Sequence, residues 1–285
     1  MADLSTTLSA ESLYNVKGKV VLVTGGSSGI GKMMAAGFVR NGAKVYIAAR
    51  KEAQLKEATE ELRTLGSGGV EFIVANVGSK AGCDALIAEF KKRENKLHVL
   101  INNSGITWGA PMDDFPEAKG WDNIFNVNVK SIFYMTVGLA PLLSKDSNNI
   151  NPGRVINISS VASLTAASKT ALASPGTGTY SYNASKATVN HLTSQLAYEL
   201  IGRNITVNAI LPGVFPSKMT AYGFSSGQEL LVAHQPTGRV GAPQDIAGVA
   251  LFLSSPASAH VTSTFIPVDG GAMLAGGGLA PRPKL

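Results

Sequence analysis

The sequence predicts an α/β chain whose strands form one parallel sheet with helices on both faces. Three observations predict it. Short β-branched runs alternate with longer helical segments from residue 19 to residue 268, the runs are apolar throughout, and no linker or internal repeat divides them. At 285 residues a single domain accounts for the chain, with 1–16 as an N-terminal extension and 276–285 as a tail. A 45% hydrophobic fraction and a net charge of only +6 exclude a disordered chain; the lone Cys83 excludes a disulfide framework and a multi-cysteine metal site.

Residues 19–24 (KVVLVT) read as a buried strand, followed by a glycine-rich turn and a helix that stops near Asn41-Gly42. Residues 44–48 (KVYIA) form a second strand, 52–65 a helix stopped by Gly66, and 70–75 (VEFIVA) a third strand. Helical patterns at 80–94 and 121–144 flank the strand LHVLIN; RVINIS, ITVNAIL and TFIPV follow, with a helix at 181–202 between the first two. Two stretches break the rhythm. Residues 161–179, rich in Ser, Thr and Ala, and residues 214–240 read as long loops of the kind that form functional rims or lids.

The 25 basic residues are scattered, so nucleic acid is not an expected partner. No apolar run approaches the roughly 20 residues that span a bilayer, and the first residues carry neither a basic nor an apolar leader pattern, so no membrane partner and a cytoplasmic location are expected. The terminal Pro283-Lys284-Leu285 resembles a degenerate peroxisomal address and sets a second expectation of location. His98, His191, His234 and His260 lack metal-ligand spacing, so no metal is expected.

Thr24-Gly25-Gly26-Ser27-Ser28-Gly29-Ile30-Gly31 lies between the first strand and its helix. Glycines there let the backbone turn tightly and approach a pyrophosphate, whose charge is stabilised by free N–H groups and the positive end of the helix. A dinucleotide is the expected ligand. The second strand ends in Ala48-Ala49-Arg50-Lys51, without the carboxylate that would hold adenosine ribose hydroxyls; Arg50 and Lys51 favour a 2′-phosphate and hence NADP(H) over NAD. Tyr182 and Lys186, four residues apart, share one helical face. A neighbouring ammonium and an oxidised nicotinamide would together lower the phenol from its usual value near 10 by two or three units, making Tyr182 an acid–base group. Tyr180 has only Ala184 at the same spacing. GRVINISS and Asn102-Asn103-Ser104-Gly105 deliver polar groups to the carboxyl edge of the sheet, where open α/β folds bind ligands.

TGGSSGIG, NNSG, NVNV, NISS, YNASK and LPGVFPSKMT, in this order over about residues 19–275, resemble the short-chain dehydrogenase/reductase family. That resemblance implies a Rossmann-type fold and the catalytic set Asn128, Ser160, Tyr182 and Lys186. Tyr182 is the general acid, Lys186 lowers its pKa and binds the nicotinamide ribose, Ser160 orients the carbonyl, and Asn128 holds a relay water. It further implies cofactor contacts at Gly25, Ser27, Ser28, Gly29, Ile30, Gly31, Arg50, Lys51, Asn76, Val77, Asn103, Gly105, Tyr182, Lys186, Pro212, Gly213, Phe215, Ser217 and Met219. A homodimer or homotetramer built on the helices at 121–144 and 181 is also expected from the resemblance.

Several residues depart from the family pattern: NNSG replaces the usual NNAG, Asn76 stands where an aspartate often meets adenine, and Ser217 stands for a threonine. The Ser160-to-Tyr182 spacing is long, which leaves Ser159 as an alternative to Ser160. ITWGAP, NPGRVINISS, VFPSKMT and IPVDGG are similar to the 3-oxoacyl reductase branch. The expected reaction is NADPH-dependent reduction of an apolar or bulky ketone, a 3-oxoacyl ester among them, with Trp108, Leu164, Phe215, Met219 and Phe224 at the substrate end. An idle NADP(H) sensor or scaffold is the alternative; loss of the tyrosine or lysine would favour it, and both are present. An epimerase or dehydratase would need further groups near the tyrosine that the sequence does not identify.

Overall fold

A computed structural model describes residues 8–170, 172–233 and 235–275; His234 and the Pro283-Lys284-Leu285 address lie outside the described residues. Seven strands, β1 (Val20–Thr24), β2 (Lys44–Ala49), β3 (Val70–Val74), β4 (Val99–Asn102), β5 (Gly153–Ile158), β6 (Ile205–Pro212) and β7 (Phe265–Val268), form one sheet in the order β3-β2-β1-β4-β5-β6-β7. Every pairing is parallel. The chain winds outward from β1 in one direction and from β4 in the other, so their shared carboxyl ends form the crevice where such sheets take ligands.

The helices are α1 (Ala10–Leu13), α2 (Gly29–Arg40), α3 (Glu52–Arg63), α4 (Lys80–Arg93), α5 (Asn123–Phe125), α6 (Ser131–Ser144), α7 (Tyr180–Leu200), α8 (Ala221–Ala233) and α9 (Pro243–Ser254). Val21, Val23, Val99 and Ile156 point to α2, α3 and α9, while Leu22, Leu100 and Val155 point to α4, α6 and α7. Alternate residues of each strand therefore meet a helical layer on opposite faces, which explains the continuous apolar runs.

Local chemistry sets the boundaries. Gly42 at φ +76° follows the C-cap of α2, as the Asn41-Gly42 stop predicts. The Ser79 hydroxyl accepts from Gly82 N at 3.1 Å and opens α4. Pro243 begins α9, where the Asp245 carboxylate accepts from Ala242 N at 2.8 Å and is itself gripped by Arg239.

Three features correct the sequence reading. Residues 214–240 are not one loop, since they hold the thirteen-residue α8. The helix expected at 121–144 begins earlier, at Glu117, and contains two π segments, Glu117–Asp122 and Asn126–Lys130. This run, Glu117–Ser144, is long and apolar enough by length and composition to cross a membrane, but its Ile132, Met135, Leu139 and Leu143 are buried against the sheet. Its apolar character serves the core, and Pro141 sits inside it.

Candidate active site

The carboxyl ends of β1, β4, β5 and β6 bring the predicted segments together. The glycine turn depends on long-range packing as well as conformation. Gly25 and Gly29 have φ of +66° and +54°, which disfavour any side chain. A Cβ on Gly31 would strike Asn103 Nδ2 at 2.4 Å, and one on Gly29 would press Ser217 Cβ at 3.2 Å. Ser28, the N-cap of α2, makes no side-chain cap hydrogen bond. The first turn of α2 thus presents amides without a side-chain acceptor over a floor stripped of side chains, a fit for a diphosphate.

Asn103 ties this turn to β4. Its Nδ2 donates to Thr24 O at 2.9 Å and Gly25 O at 3.1 Å. The Thr24 hydroxyl accepts from the Asn103 and Ser104 amides, both at 3.0 Å. The sequence reading quoted Thr24 within the motif without giving it a role; a hydroxyl ending a buried strand beside an Asn-Asn segment was the available signal.

At the end of β2, Arg50 and Lys51 are exposed, and their side chains make no hydrogen bond or ion pair among the described residues. Asn76 is exposed and its Oδ1 accepts from Gly78 N at 3.1 Å. Val77 is buried in the α4-side core. Ile30 packs against the other core, and Met219 is exposed. Pro212 ends β6, and a Cβ on the following Gly213 would strike Asp269. Phe215 is only 1% exposed, and its ring packs in the core beneath Gly241.

Tyr182 and Lys186 lie on the first turns of α7, above the end of β5. The Ser160 hydroxyl accepts from Ala162 N at 3.1 Å, and its interaction with Tyr182 favours the phenolate. The Ser159 hydroxyl instead donates to Lys186 O at 3.0 Å, away from the phenol. The open choice between the two serines thus has a geometric answer, and Ser160 is the one beside the tyrosine.

Lys186 is 4% exposed and donates to Ile158 O at 2.7 Å, with Nζ 5.6 Å from the Tyr182 ring centre. Burial lowers its pKa to about 8. The Tyr182 phenol is pushed above its ordinary value by burial, and the Ser160 hydrogen bond opposes that rise. The ammonium lies beside the ring and bonds a carbonyl, so among the protein's own groups desolvation outweighs the pull of the cation.

Asn128 is fully buried in the Asn126–Lys130 π segment. Its Oδ1 accepts from Ile106 N at 2.9 Å, and its Nδ2 donates to Ile106 O at 3.0 Å and to the Ser185 hydroxyl at 3.0 Å. The Asn128 side chain thus joins Ile106 in the loop after β4 to Ser185 on α7. Gly105 faces both groups: a Cβ there would lie 3.5 Å from Lys186 Nζ and 3.6 Å from Asn128 Oδ1.

The family model for short chain dehydrogenases matches residues 19–226. The chain belongs to the short-chain dehydrogenase/reductase family. It is 38% identical over 260 residues to the rhamnolipid-biosynthesis 3-oxoacyl-[acyl-carrier-protein] reductase of Pseudomonas aeruginosa, covering 90% of this chain and 97% of that protein. It is 35% identical to the 3-oxoacyl-[acyl-carrier-protein] reductase FabG of Thermotoga maritima, covering 91% and 99%. Among solved structures, the Pseudomonas aeruginosa RhlG/NADP active-site complex superposes with a TM-score of 0.84 at 37% identity, over 91% of this chain and 98% of that one. This short-chain dehydrogenase/reductase is therefore an oxidoreductase with the fold its sequence predicts.

Proposed function

We propose that this short-chain dehydrogenase/reductase reduces a ketone to a secondary alcohol with NADPH. The observation that carries the reading is Tyr182 interacting with Ser160 beside the buried Lys186 at the carboxyl edge of β5. The bare glycine floor, the uncapped start of α2 and the unpaired cations at Arg50 and Lys51 fit the diphosphate and 2′-phosphate of NADP(H). A relative solved as an NADP complex lends further support. When bound, the reduced nicotinamide supplies the hydride.

The protein's own groups handle the oxygen and its proton. Burial keeps the Tyr182 phenol protonated at neutral pH, so it enters reduction as a proton donor. The Ser160 hydroxyl, fixed by Ala162 N, donates to the same oxygen as negative charge develops. Lys186, held near a pKa of 8, carries a proton that can be resupplied from solvent and keeps a positive charge under the phenol. Asn128 braces the loop over Lys186.

Residues 107–112, 161–179 and 214–235 form the substrate rim in this reading. The exposed Trp108, Leu164 and Met219 suit an apolar or bulky ketone. The two named 3-oxoacyl reductases make a 3-oxoacyl thioester the first substrate to try. A single domain, assembly as a homodimer or homotetramer, and a cytoplasmic setting complete the proposal. The peroxisomal expectation finds no support among the relatives.

The test is oxidation of NADPH, followed by nicotinamide absorbance, against a panel of ketones and 3-oxoacyl thioesters, with NADH in parallel. Turnover of a ketone with NADPH preferred is expected. Tight NADPH binding with no turnover of any carbonyl would instead support the sensor.

A further inference from the structure

Ser160 is positioned by more than its neighbours in sequence. It has an extended backbone, φ −170°, two residues beyond β5, and caps a single 3₁₀ turn, Val161–Ser163. The Ser163 hydroxyl folds back and donates to Ser160 O at 2.6 Å, while Ser163 N donates to the same oxygen at 3.0 Å. Asn190, one turn beyond Lys186 on α7, donates from Nδ2 to the Ser163 hydroxyl at 2.8 Å. A chain of hydrogen bonds therefore runs from the helix carrying Tyr182 and Lys186 to the turn carrying Ser160.

The polarity of this chain is determined. Ser163 has one hydroxyl proton, and Ser160 O receives it, so only a donor can satisfy Ser163 from the α7 side. Asn190 supplies that donor and leaves its own Oδ1 buried with no partner among the described residues. A buried amide oxygen without a partner costs about 1–3 kcal/mol. An apolar side chain at position 190 would avoid that cost, so the asparagine is poorly explained by stability alone.

We propose that Asn190 and Ser163 are positioning residues that hold the Ser160 hydroxyl on Tyr182. The inference rests on the reductase reading, because it assigns work to the Ser160–Tyr182 pair. It adds two residues to that pair, neither touching the reacting atoms. Ser159 Oγ and Lys186 Nζ already tie α7 to the end of β5, and the Asn190–Ser163 link extends that tie to the turn that carries Ser160.

The test compares Asn190→Leu, Ser163→Ala and Ser163→Thr with the unaltered protein. Four quantities are read: kcat and KM for a ketone, melting temperature, and the titration of Tyr182 followed by NMR of labelled tyrosine ring carbons. In Asn190→Leu, kcat should fall about fivefold with KM changed less than twofold. Its melting temperature should be equal or higher, and Tyr182 should titrate at higher pH because the opposing Ser160 bond is loosened. Ser163→Ala should move the titration the same way, and Ser163→Thr, which keeps the hydroxyl, should restore it. An unmoved Tyr182 titration in folded Asn190→Leu or Ser163→Ala overturns the proposal. Absence of ketone turnover in the unaltered protein would instead sink the reductase reading, while the titration still decides the positioning role.

Discussion

Lys186 at the carboxyl edge of the sheet and Arg154 at its amino edge are both buried cations that face backbone carbonyls instead of carboxylates. Lys186 donates to Ile158 O and is held at about 8. Arg154, fully buried, donates to Ser255 O at 2.8 Å and Ser258 O at 3.2 Å, and burial holds it at about 10. Its neighbour Lys19 is lowered to about 8 by burial and by Arg154 and Lys96. The desolvation is alike at the two edges; what differs is the company. At the amino edge the cations meet carbonyls at the end of α9 and one another. At the carboxyl edge the cation lies beside two hydroxyls that can exchange a proton. A perturbed cation therefore reports burial, and only the groups around it make a site.

The largest expected effect tests the carboxyl edge directly. Tyr182→Phe should lower kcat by about 10²–10⁴-fold while leaving NADPH affinity, measured by fluorescence titration, nearly unchanged. Retained turnover would remove the proton donor and with it the distinction between the edges.

A paired substitution sharpens the comparison. Lys186→Met should cut kcat by about 10²-fold with little loss in a urea melt, because a desolvated cation is removed along with the catalytic charge. Arg154→Met should do the reverse, lowering stability by about 1–3 kcal/mol as the Ser255 and Ser258 carbonyls lose their donors, with kcat within twofold. Equal effects on activity would show that the amino edge also governs the site.

Arg50→Asp should shift the NADPH-to-NADH preference about tenfold toward NADH, by removing a cation and adding a carboxylate suited to ribose hydroxyls. An unmoved ratio of kcat/KM values would take Arg50 out of cofactor selection.

The smallest effect lies at the amino edge. His98 Nδ1 accepts from Val20 N at 2.9 Å, which requires the neutral ring, and burial lowers its pKa from 6.5 to about 4. Between those values the unfolded chain binds more protons than the native one, so stability should rise with pH from about 4 to 6.5. His98→Asn should flatten that limb in urea melts recorded across the window; an unchanged slope would mean that other groups set it.

Much of this was legible beforehand. The seven strands fall within a residue or two of their apolar runs, and the glycine turn sits where its spacing puts it. Helix α8 was hidden because AYGFSSGQELLVA mixes glycines and serines of low helix propensity into an otherwise helical stretch. The direction of the Phe215 ring was not legible, because motif position carries no information on it; the ring turns beneath Gly241, a residue 26 positions away. The partners of the Asn128 amide were not legible, because nothing local announces that Ile106 and Ser185 engage it. The link through Asn190 and Ser163 gave no signal at all, since it joins residues 27 apart whose types are ordinary.

The amino-acid sequence alone determined the parallel sheet, the glycine floor and the shared face of Tyr182 and Lys186. Each follows from local rules: apolar periodicity, the left-handed conformations that glycine tolerates, and the pitch of a helix. Only the tertiary structure decided which serine meets the tyrosine, which carbonyl holds the lysine, and whether the phenol is made more or less acidic. Those outcomes depend on how closely β5, its 3₁₀ turn and α7 approach one another and exclude water, and no spacing along the chain encodes that distance.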